Sequence, residues 1–280
     1  MFSDVLLAVD FDHTLTGPNS KIPQRNLEAI HYFMDNGGAF TLNTGRTPTT
    51  LRHHMDKLPY NVPLLLYNGS ASYWNGQLQD CRLIDLPVWP TLEKIHGMFP
   101  DLHIEYQHEK VNYLIDPKPD MIALEENMHW AWAPAQWGQD MGPFIKFALW
   151  GEARHPSISD HYDVTEEELA YFDAAQAKLE ELWGDKIVCF RPAPRIIDVQ
   201  AKGSSKAIAV KTLQKKLGRK ILVCVGDGEN DITALSVADY AFSPSDGVVA
   251  DRFENVCPCG EGAVADVIYE KIPAILKNRP

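Results

Sequence analysis

The stretch Val5-Leu6-Leu7-Ala8-Val9-Asp10-Phe11-Asp12-His13-Thr14 decides the fold of this chain. Its first half is continuously apolar, which is typical of a central parallel strand that is covered on both faces. Its second half is a turn that carries two aspartates. A second apolar run, 221–225, ends in the same way in Gly226-Asp227-Gly228-Glu229-Asn230-Asp231. Both runs therefore predict buried strands that deliver carboxylates to turns at the carboxyl edge of a sheet, where ligands bind.

The residues around these two runs alternate between strand and helix patterns. Pro23 opens a helix that Gly37-Gly38 closes, and 39–42 and 63–67 predict two further strands with a helix between them. The order strand, helix, strand, helix, strand predicts a doubly wound, Rossmann-like parallel sheet of the α/β class. Beyond them we expect a helix at 206–217, a short edge strand at 240–242 and a last helix at 262–275.

The segment 86–190 differs from the rest in both pattern and charge. It holds 7 Lys+Arg and 19 Asp+Glu, so it accounts for the whole formal net charge of -12. Alternation at 102–106 and 145–149 predicts strands with one exposed face, and Thr165 begins a capping box for a helix that ends at Trp183. We therefore expect a core formed by 1–85 and 191–280, and an inserted α+β cap domain formed by 86–190.

Composition argues against several classes of protein. A net charge of -12 disfavours nucleic-acid and anionic-membrane partners. The sequence has neither an apolar run of about 18 residues nor a signal-peptide pattern, so we expect a cytoplasmic protein, monomeric or homodimeric, that acts on a small molecule. Among five cysteines, Cys257-Pro258-Cys259 is the one close pair; it could bind a metal or oxidise, although free thiols are the expected state in a reducing cytosol.

Chemically reactive side chains follow the predicted strands or begin a helix. They are Asp10 and Asp12, Thr44, Lys206, and Asp227 with Asp231. Phosphoryl transfer needs a nucleophile, a proton donor and positive charge around the phosphorus. Asp10 could attack to form an aspartyl-phosphate, and Asp12 could protonate the leaving group and then activate water. The Thr44 hydroxyl and the Lys206 ammonium could hold phosphoryl oxygens, while Asp10 and Asp227 could coordinate Mg²⁺.

In these motifs the chain resembles the haloacid dehalogenase (HAD) superfamily of phosphohydrolases, and within it the Cof-type subgroup, whose class IIB cap is a large α/β domain. The resemblance runs nearly end to end and is carried by 10–14, Asn43-Thr44-Gly45-Arg46, the Asn68-Gly69 turn, 197–206 and 226–231. It implies that Asp10 is the nucleophile and Asp12 the acid and base. It also makes Lys206 the family lysine, with Lys202, one helical turn earlier, as the alternative.

The resemblance further implies a Mg²⁺ site and a phosphate site. The metal ligands would be Asp10, the Asp12 carbonyl, Asp227 and, through water, Asp231. The candidate phosphate ligands are Thr44, Gly45, Arg46, Lys206 and Asn230, although Arg46 could instead brace its own motif. In the cap, Trp130, Trp132 and Trp137 either contact substrate or pack in the domain core. His13 stands where the family has Gly, and it either contacts the leaving group or is a bystander.

Together these features predict a Mg²⁺-dependent phosphatase that hydrolyses a small phosphomonoester, for example a sugar phosphate, through an aspartyl-phosphate. Two alternatives stay open. A phosphomutase would share the first half-reaction and return the phosphoryl group to a sugar. A non-catalytic phosphate-binding or regulatory module would keep the fold without turnover, but it would have no need of both a nucleophile and an acid.

Overall fold

The computed structural model describes residues 1–152 and 164–278. The chain forms two compact units. The first consists of Met1–Arg46, His54–Gln79 and Ser205–Pro280, and the second of Thr47–His53 and Asp80–Ser204. The expected insert, 86–190, lies inside the second unit, which extends further because the strand Ile196–Ala201 pairs within the sheet of that unit.

A five-stranded parallel sheet forms the centre of the first unit. In spatial order its strands are β14 (Glu254–Val256), β13 (Tyr240–Pro244), β12 (Ile221–Val225), β1 (Val5–Val9) and β2 (Ala39–Leu42). β1 pairs with β12 along its whole length, from Val5 opposite Ile221 to Val9 opposite Val225. Every residue of both strands is buried, as their apolar runs predict.

Two features at the sides of this sheet differ from the expectation. The prediction of an edge strand at 240–242 is wrong, because β14 pairs with the outer side of β13. The strand expected at 63–67 joins a small antiparallel sheet instead, and a parallel bridge between Asn43 and Leu65 connects it to the residue that follows β2. That small sheet consists of β3 (Leu64–Leu66), β4 (Ala71–Trp74) and β5 (Gln77–Gln79).

Helices cover the parallel sheet of the first unit. They are α1 (Gln24–Asp35), α6 (Lys206–Leu217), α7 (Ile232–Val237), α8 (Ala263–Asp266) and α9 (Ile272–Lys277), with a π-helical turn at Val267–Lys271 between the last two. α6 begins where the Ser205 hydroxyl accepts a hydrogen bond from the Ala207 N–H, and it ends at Gly218 in the left-handed region. Val210 and Leu213 of α6 pack against the sheet, which fixes the start of this helix relative to the strand ends.

A six-stranded sheet forms the second unit. Its strands are β10 (Ile187–Ala193), β11 (Ile196–Ala201), β9 (Lys146–Trp150), β6 (His103–Gln107), β7 (Asn112–Ile115) and β8 (Trp132–Pro134). The helices are α3 (Val88–Met98), α4 (Pro119–Asn127) and α5 (Glu166–Trp183), and α2 (Pro48–Met55) has residues in both units. α5 begins at the predicted capping box, in which the Glu168 N–H donates to Thr165 Oγ1 over 3.2 Å. Within the described residues, no helix is both long and apolar enough to cross a bilayer.

The expectation that β6 and β9 expose one face is wrong, because all residues of both strands are buried. On one face, Ile104 and Phe147 join the apolar core with α3 and α5. On the other face, Ala148 and Trp150 pack against side chains of α4. The remaining positions of that face carry buried polar side chains, whose alternation with apolar residues produces the same sequence pattern as a solvated face.

Candidate active site

Asp10 lies immediately beyond the carboxyl end of β1. Its backbone N–H donates to the carbonyl of Val225 over 2.9 Å, so the pairing of β1 with β12 continues one residue past the strand. The chain then turns sharply, and His13 takes a φ of 53°. This left-handed conformation favours glycine, which agrees with the glycine of the resembled family at this position.

Lys206 brings a positive charge to Asp10 and Asp231. Its side chain is 1 % exposed, and its Nζ lies 2.7 Å from Asp10 Oδ1 and 2.5 Å from Asp231 Oδ1. The two carboxylates stabilise the charged ammonium, which raises the pKa of Lys206 although burial opposes it. The alternative, Lys202, is exposed. The helix start of α6 therefore delivers a fixed cation to the strand ends.

Three carboxylates form the candidate metal centre. One oxygen each of Asp10, Asp227 and Asp231 lies within 4.8 Å of the other two. Burial raises the pKa of Asp10 to about 7, with Asp231 and Asp12 adding to the effect of burial and Lys206 opposing it. Burial and the neighbouring carboxylates of Asp231 and Asp10 also raise the pKa of Asp227 well above its usual value. These raised pKa values indicate a surplus of negative charge that a bound cation would relieve.

The donor set fits Mg²⁺, since every ligand in this cluster is a carboxylate oxygen. Asp227 is oriented by Thr14, whose hydroxyl donates to its Oδ1 over 2.6 Å. Asp231 is already engaged, because its Oδ2 accepts the N–H groups of Asp227 and Gly228 and its Oδ1 pairs with Lys206. That arrangement agrees with a supporting role for Asp231 through water rather than direct coordination.

Asp12 does not join the metal cluster through its side chain. Its carboxylate is held in a two-point ion pair by Arg46, with Nε 2.7 Å from Oδ2 and Nη2 2.7 Å from Oδ1. Although burial opposes ionisation, the guanidinium lowers the pKa of Asp12 below its usual value. The guanidinium also lies over the ring of Phe11, 4.9 Å from its centroid. Arg46 thus holds the segment 10–14 rather than its own motif, a contact that sequence spacing did not indicate.

The motif Asn43-Thr44-Gly45-Arg46 follows β2. Thr44 is buried, and its hydroxyl oxygen accepts a hydrogen bond from the Arg46 N–H over 3.2 Å. Gly45 lies against Asn68, whose Oδ1 would be 2.9 Å from an added Cβ. Asn68 Oδ1 also accepts a hydrogen bond from Asn230 Nδ2 over 3.4 Å. Gly45 and Asn230, two of the candidate phosphate ligands, therefore both lie next to Asn68.

Gly69, in the turn after β3, lies against the start of α6. It has a φ of +87°, and a Cβ added to it would lie 2.4 Å from the backbone oxygen of Ser205. From the same side, Asn43 Nδ2 donates to the carbonyl of Lys206 over 3.1 Å. The absence of a side chain at position 69 therefore lets this turn support the helix that carries the lysine.

We expect Gly69→Ala to destabilise the protein more than Gly76→Ala does. Gly76 has a φ of +80° with nothing within 4 Å of an added Cβ, so its substitution costs only the left-handed strain, about 1–2 kcal/mol. Gly69→Ala adds an overlap with backbone, worth about a further 1–3 kcal/mol. Equilibrium urea unfolding of both variants measures the difference; equal losses would show that α6 shifts without cost.

Other residues singled out by sequence are not members of this cluster. Trp130, Trp132 and Trp137 belong to the second unit, where Trp130 is buried, Trp132 is partly buried, and Trp137 is 49 % exposed and packs on Trp89. All five cysteines are free thiols. The Cys259 thiol donates to Asp246 Oδ2 over 3.3 Å, but within 1–152 and 164–278 only the Asp10 cluster gathers three acidic, His or Cys ligands.

Sequence patterns left three residues of this site without a role, namely Thr14, Asn43 and Asn68. Each lies within a motif that sequence identifies, and each makes a hydrogen bond to a residue that follows position 200 in the chain. The position of each within its motif was the only available signal, because such long-range partners are not encoded in local spacing.

Comparison with known proteins agrees with this geometry. The family model described as haloacid dehalogenase-like hydrolase matches residues 7–247. The chain is 24% identical over 249 residues to an HMP-PP phosphatase of Yersinia pestis, covering 82% of this chain and 80% of the relative. It is 23% identical over 256 residues to the Bacillus subtilis 5-amino-6-(5-phospho-D-ribitylamino)uracil phosphatase YwtE, covering 86% of this chain and 88% of the relative.

Among solved structures, the HAD subclass IIB sugar phosphatase BT4131 superposes with a TM-score of 0.74 at 18% identity, covering 96% of this chain and 99% of that one. This likeness shows that the two chains share a fold. The expected resemblance and the expected fold class are both confirmed. With the family model spanning both units and all the motifs around Asp10 and Lys206, the chain belongs to the haloacid dehalogenase-like hydrolases.

Proposed function

We propose that this hydrolase is a Mg²⁺-dependent phosphatase that cleaves a small phosphomonoester through an aspartyl-phosphate on Asp10. The observation that carries the proposal is the environment of the Asp10 carboxylate. It is only 8% exposed, it is fixed by Lys206 at 2.7 Å, and it lies within metal-binding range of Asp227. Phosphoryl transfer requires a nucleophile, a fixed cation and a site for a divalent metal, and the residues around Asp10 could supply all three.

Two aspartates would divide the work, with Asp10 accepting the phosphoryl group and Asp12 transferring the protons. A carboxylate oxygen of Asp10 would attack the phosphorus, while Asp12 would protonate the departing ester oxygen. In the second half-reaction Asp12, now ionised, would remove a proton from the water that attacks the aspartyl-phosphate. The Arg46 ion pair favours the ionised form of Asp12, which suits this second role. To act as the acid, Asp12 must first take up a proton and loosen its contact with Arg46.

The metal and phosphate ligands follow the same assignment. Asp10, the Asp12 carbonyl and Asp227 would hold Mg²⁺, with Asp231 acting through water. When bound, Mg²⁺ supplies positive charge beside the phosphoryl oxygens. Thr44, Gly45, Lys206 and Asn230 would bind and orient those oxygens, and Arg46 would act chiefly by holding Asp12.

The substrate class is a small phosphomonoester, with sugar phosphates and related polyol phosphates as the first candidates. Support comes from relatives whose names describe phosphatases of such compounds, among them the phosphoribitylaminouracil phosphatase and the sugar phosphatase BT4131. We place selectivity for the non-phosphate part in the second unit, where Trp132 and Trp137 remain candidates. Of the two, Trp137 exposes more of its ring, and Trp132 packs beside the cluster that contains Met121.

We expect release of inorganic phosphate from a phosphomonoester panel to depend on Mg²⁺. Removing the metal with EDTA should lower kcat/KM by at least about 100-fold, because charge stabilisation by a metal is worth several kcal/mol. Adding Mg²⁺ back should restore the rate, while thermal unfolding checks that the protein stays folded throughout. Undiminished hydrolysis in EDTA would contradict the metal assignment.

The same assay separates the phosphatase from the phosphomutase. A phosphatase releases inorganic phosphate without a bisphosphorylated sugar, whereas a mutase needs that activator and interconverts two sugar phosphates. We expect the first result. Turnover that appears only with the activator, and yields an isomer, would contradict the proposal while keeping Asp10 as nucleophile.

A further inference from the structure

A buried amide lies within the apolar side of α1. The face of this helix that is turned to the core carries Asn26, Ala29, Ile30 and Phe33. Three of these side chains are apolar, as the spacing of a core-facing helix surface predicts, and Asn26 is completely buried among them. Burying an amide is unfavourable unless its polar groups are hydrogen-bonded, so the partners of Asn26 indicate what it does there.

Asn26 joins two backbone segments that are far apart in the sequence. Its Nδ2 donates to the carbonyl of Leu15 over 3.0 Å, and its Oδ1 accepts the N–H of Ala265 over 3.0 Å. Leu15 ends the turn after β1, and Ala265 lies in α8. Because both partners are completely buried as well, water does not reach either hydrogen bond. We name this pair of hydrogen bonds the Asn26 bridge.

The turn from Asp10 to Leu15 is not a regular helix. Asp12 and His13 inside it have non-helical backbone angles. The Leu15 N–H donates to the carbonyl of Asp10 over 3.3 Å, which is longer than the usual N–H···O hydrogen bond. Without a regular ladder of internal hydrogen bonds, the turn depends on contacts with other parts of the chain. The Asn26 bridge is one of these contacts.

The same turn carries two groups of the candidate metal centre. Asp10 begins it, and the buried Thr14 donates its hydroxyl hydrogen to Asp227 Oδ1 over 2.6 Å. Thr14 directly precedes Leu15, so a displacement of the Leu15 carbonyl would also displace the Thr14 hydroxyl. Groups that hold a metal ligand from behind set its orientation and thereby the affinity for the metal. The Asn26 bridge is therefore connected to Asp227 through one intervening side chain.

We infer that Asn26 is a positioning residue of the candidate metal centre. By holding the Leu15 carbonyl, it keeps the Thr14 hydroxyl directed at Asp227 and so favours the binding of Mg²⁺. The inference rests on the Mg²⁺ site of the function proposed above. Asn26 itself contacts neither metal nor substrate in this role, so its effect must reach the metal through Thr14.

Asn61 provides a matched comparison, because it makes the same pair of hydrogen bonds elsewhere in the first unit. Its Nδ2 donates to the carbonyl of Gly38 over 2.8 Å, and its Oδ1 accepts the N–H of Phe40 over 2.9 Å. Neither partner belongs to the turn after β1. A variant of Asn61 therefore loses the same kind of hydrogen bonds without disturbing the support of Asp227.

The Mg²⁺ affinity of Asn26→Leu tests the inference. Leucine has nearly the shape of asparagine and removes both hydrogen bonds. Isothermal titration calorimetry of the full chain with Mg²⁺ measures the dissociation constant without any substrate. We expect Asn26→Leu to raise this constant about tenfold and Asn61→Leu to change it less than about twofold, although both variants lower Tm. An unchanged constant in Asn26→Leu, or equal increases in the two variants, would overturn the inference.

A double variant shows whether the effect passes through Thr14. Thr14→Val keeps the shape of the side chain, loses the hydroxyl, and should weaken Mg²⁺ binding by itself. Adding Asn26→Leu should then weaken binding little further, because the bridge no longer has a hydroxyl to direct. A double variant whose loss equals the product of the two single losses would overturn the inference, since the two residues would then act independently.

If Asn26→Leu does not fold, the wild type provides a second test. A bridge that favours Mg²⁺ binding must itself be stabilised when Mg²⁺ binds, because coupling between two sites is reciprocal. Hydrogen exchange followed by NMR should therefore slow more at the Ala265 amide than at the Phe40 amide when Mg²⁺ is added. An equal change at the two amides would overturn the inference.

Phosphate release separates a failure of this inference from a failure of the proposed function. Weaker Mg²⁺ binding in Asn26→Leu, in a protein that hydrolyses no phosphomonoester, would support the positioning role and contradict the phosphatase proposal. Unchanged Mg²⁺ affinity in Asn26→Leu, with Mg²⁺-dependent hydrolysis by the wild type, would overturn the positioning role alone. A wild type that does not bind Mg²⁺ would overturn both.

Discussion

Asp10→Asn is expected to reduce kcat for phosphate release by at least about 10⁴-fold, because an amide cannot form the acyl phosphate that the mechanism requires. The fold should survive the change. The side chain keeps its shape at the end of β1, and Lys206 retains its contact with Asp231. Neutralising one member of a crowded carboxylate cluster also lowers the repulsion that raises the pKa of Asp227.

The measurement is steady-state phosphate release, combined with mass spectrometry of the quenched protein. Wild-type protein should gain one phosphoryl group on Asp10 during turnover, and Asp10→Asn should gain none. Asp35→Asn, the same change at an exposed position of α1, controls for loss of charge. A rate above about 1 % of wild type in Asp10→Asn would rule out Asp10 as the nucleophile.

Asp12→Asn is expected to slow turnover of an alkyl phosphate by about 10²–10⁴-fold, the usual range for general acid–base catalysis. Both half-reactions lose their proton-transfer group. The variant also removes the charge that Arg46 pairs with at 2.7 Å, but Arg46 keeps its position over the ring of Phe11. We therefore expect a chemical defect in a folded protein.

A substrate with a good leaving group separates the two half-reactions. p-Nitrophenolate departs without protonation, so Asp12→Asn should still form the aspartyl-phosphate from p-nitrophenyl phosphate and then stall before its hydrolysis. Rapid mixing should show a burst that approaches one p-nitrophenolate per protein molecule. A normal steady-state rate with an alkyl phosphate would require another proton donor, and His13, the adjacent residue, would be the first to test.

Much of the first unit follows from local sequence. The continuous apolar runs of β1 and β12 predict buried parallel strands, and Asp10, Asp227 and Asp231 beyond them lie in one candidate metal cluster. Lys206 could be assigned because it begins a helix after a motif. The structure supports that choice over Lys202 through burial and two carboxylate contacts.

Short and weakly patterned elements were not predictable in the same way. β14 has three residues, two of them exposed and polar, so it lacks any periodic signal. The β4–β5 hairpin did have a turn signal. Its two strands are joined by Asn75-Gly76, a dipeptide that favours hairpin turns but that was not used as a prediction. The buried polar face of the second unit imitated a solvated face, because alternation reports a change of polarity and not exposure.

The pairing of Arg46 with Asp12 lies beyond sequence reasoning for a different reason. The two residues are 34 positions apart, and their contact depends on how two turns at neighbouring strand ends are directed. Spacing showed that both turns reach the same edge of the sheet, but it did not show which side chains of the two turns pair with each other.

The pairing of β1 with β12 also limits how early the candidate active site can form during translation. The partner of β1 on that side is encoded more than two hundred residues later, and Lys206 lies 196 positions from Asp10. Contacts this distant in sequence form only after the later segment has been synthesised. The strands of the second unit all lie between 103 and 201, so its sheet can form during translation before β12 has been synthesised. Asp10, Lys206, Asp227 and Asp231 can therefore come together only after Asp231 has left the exit tunnel.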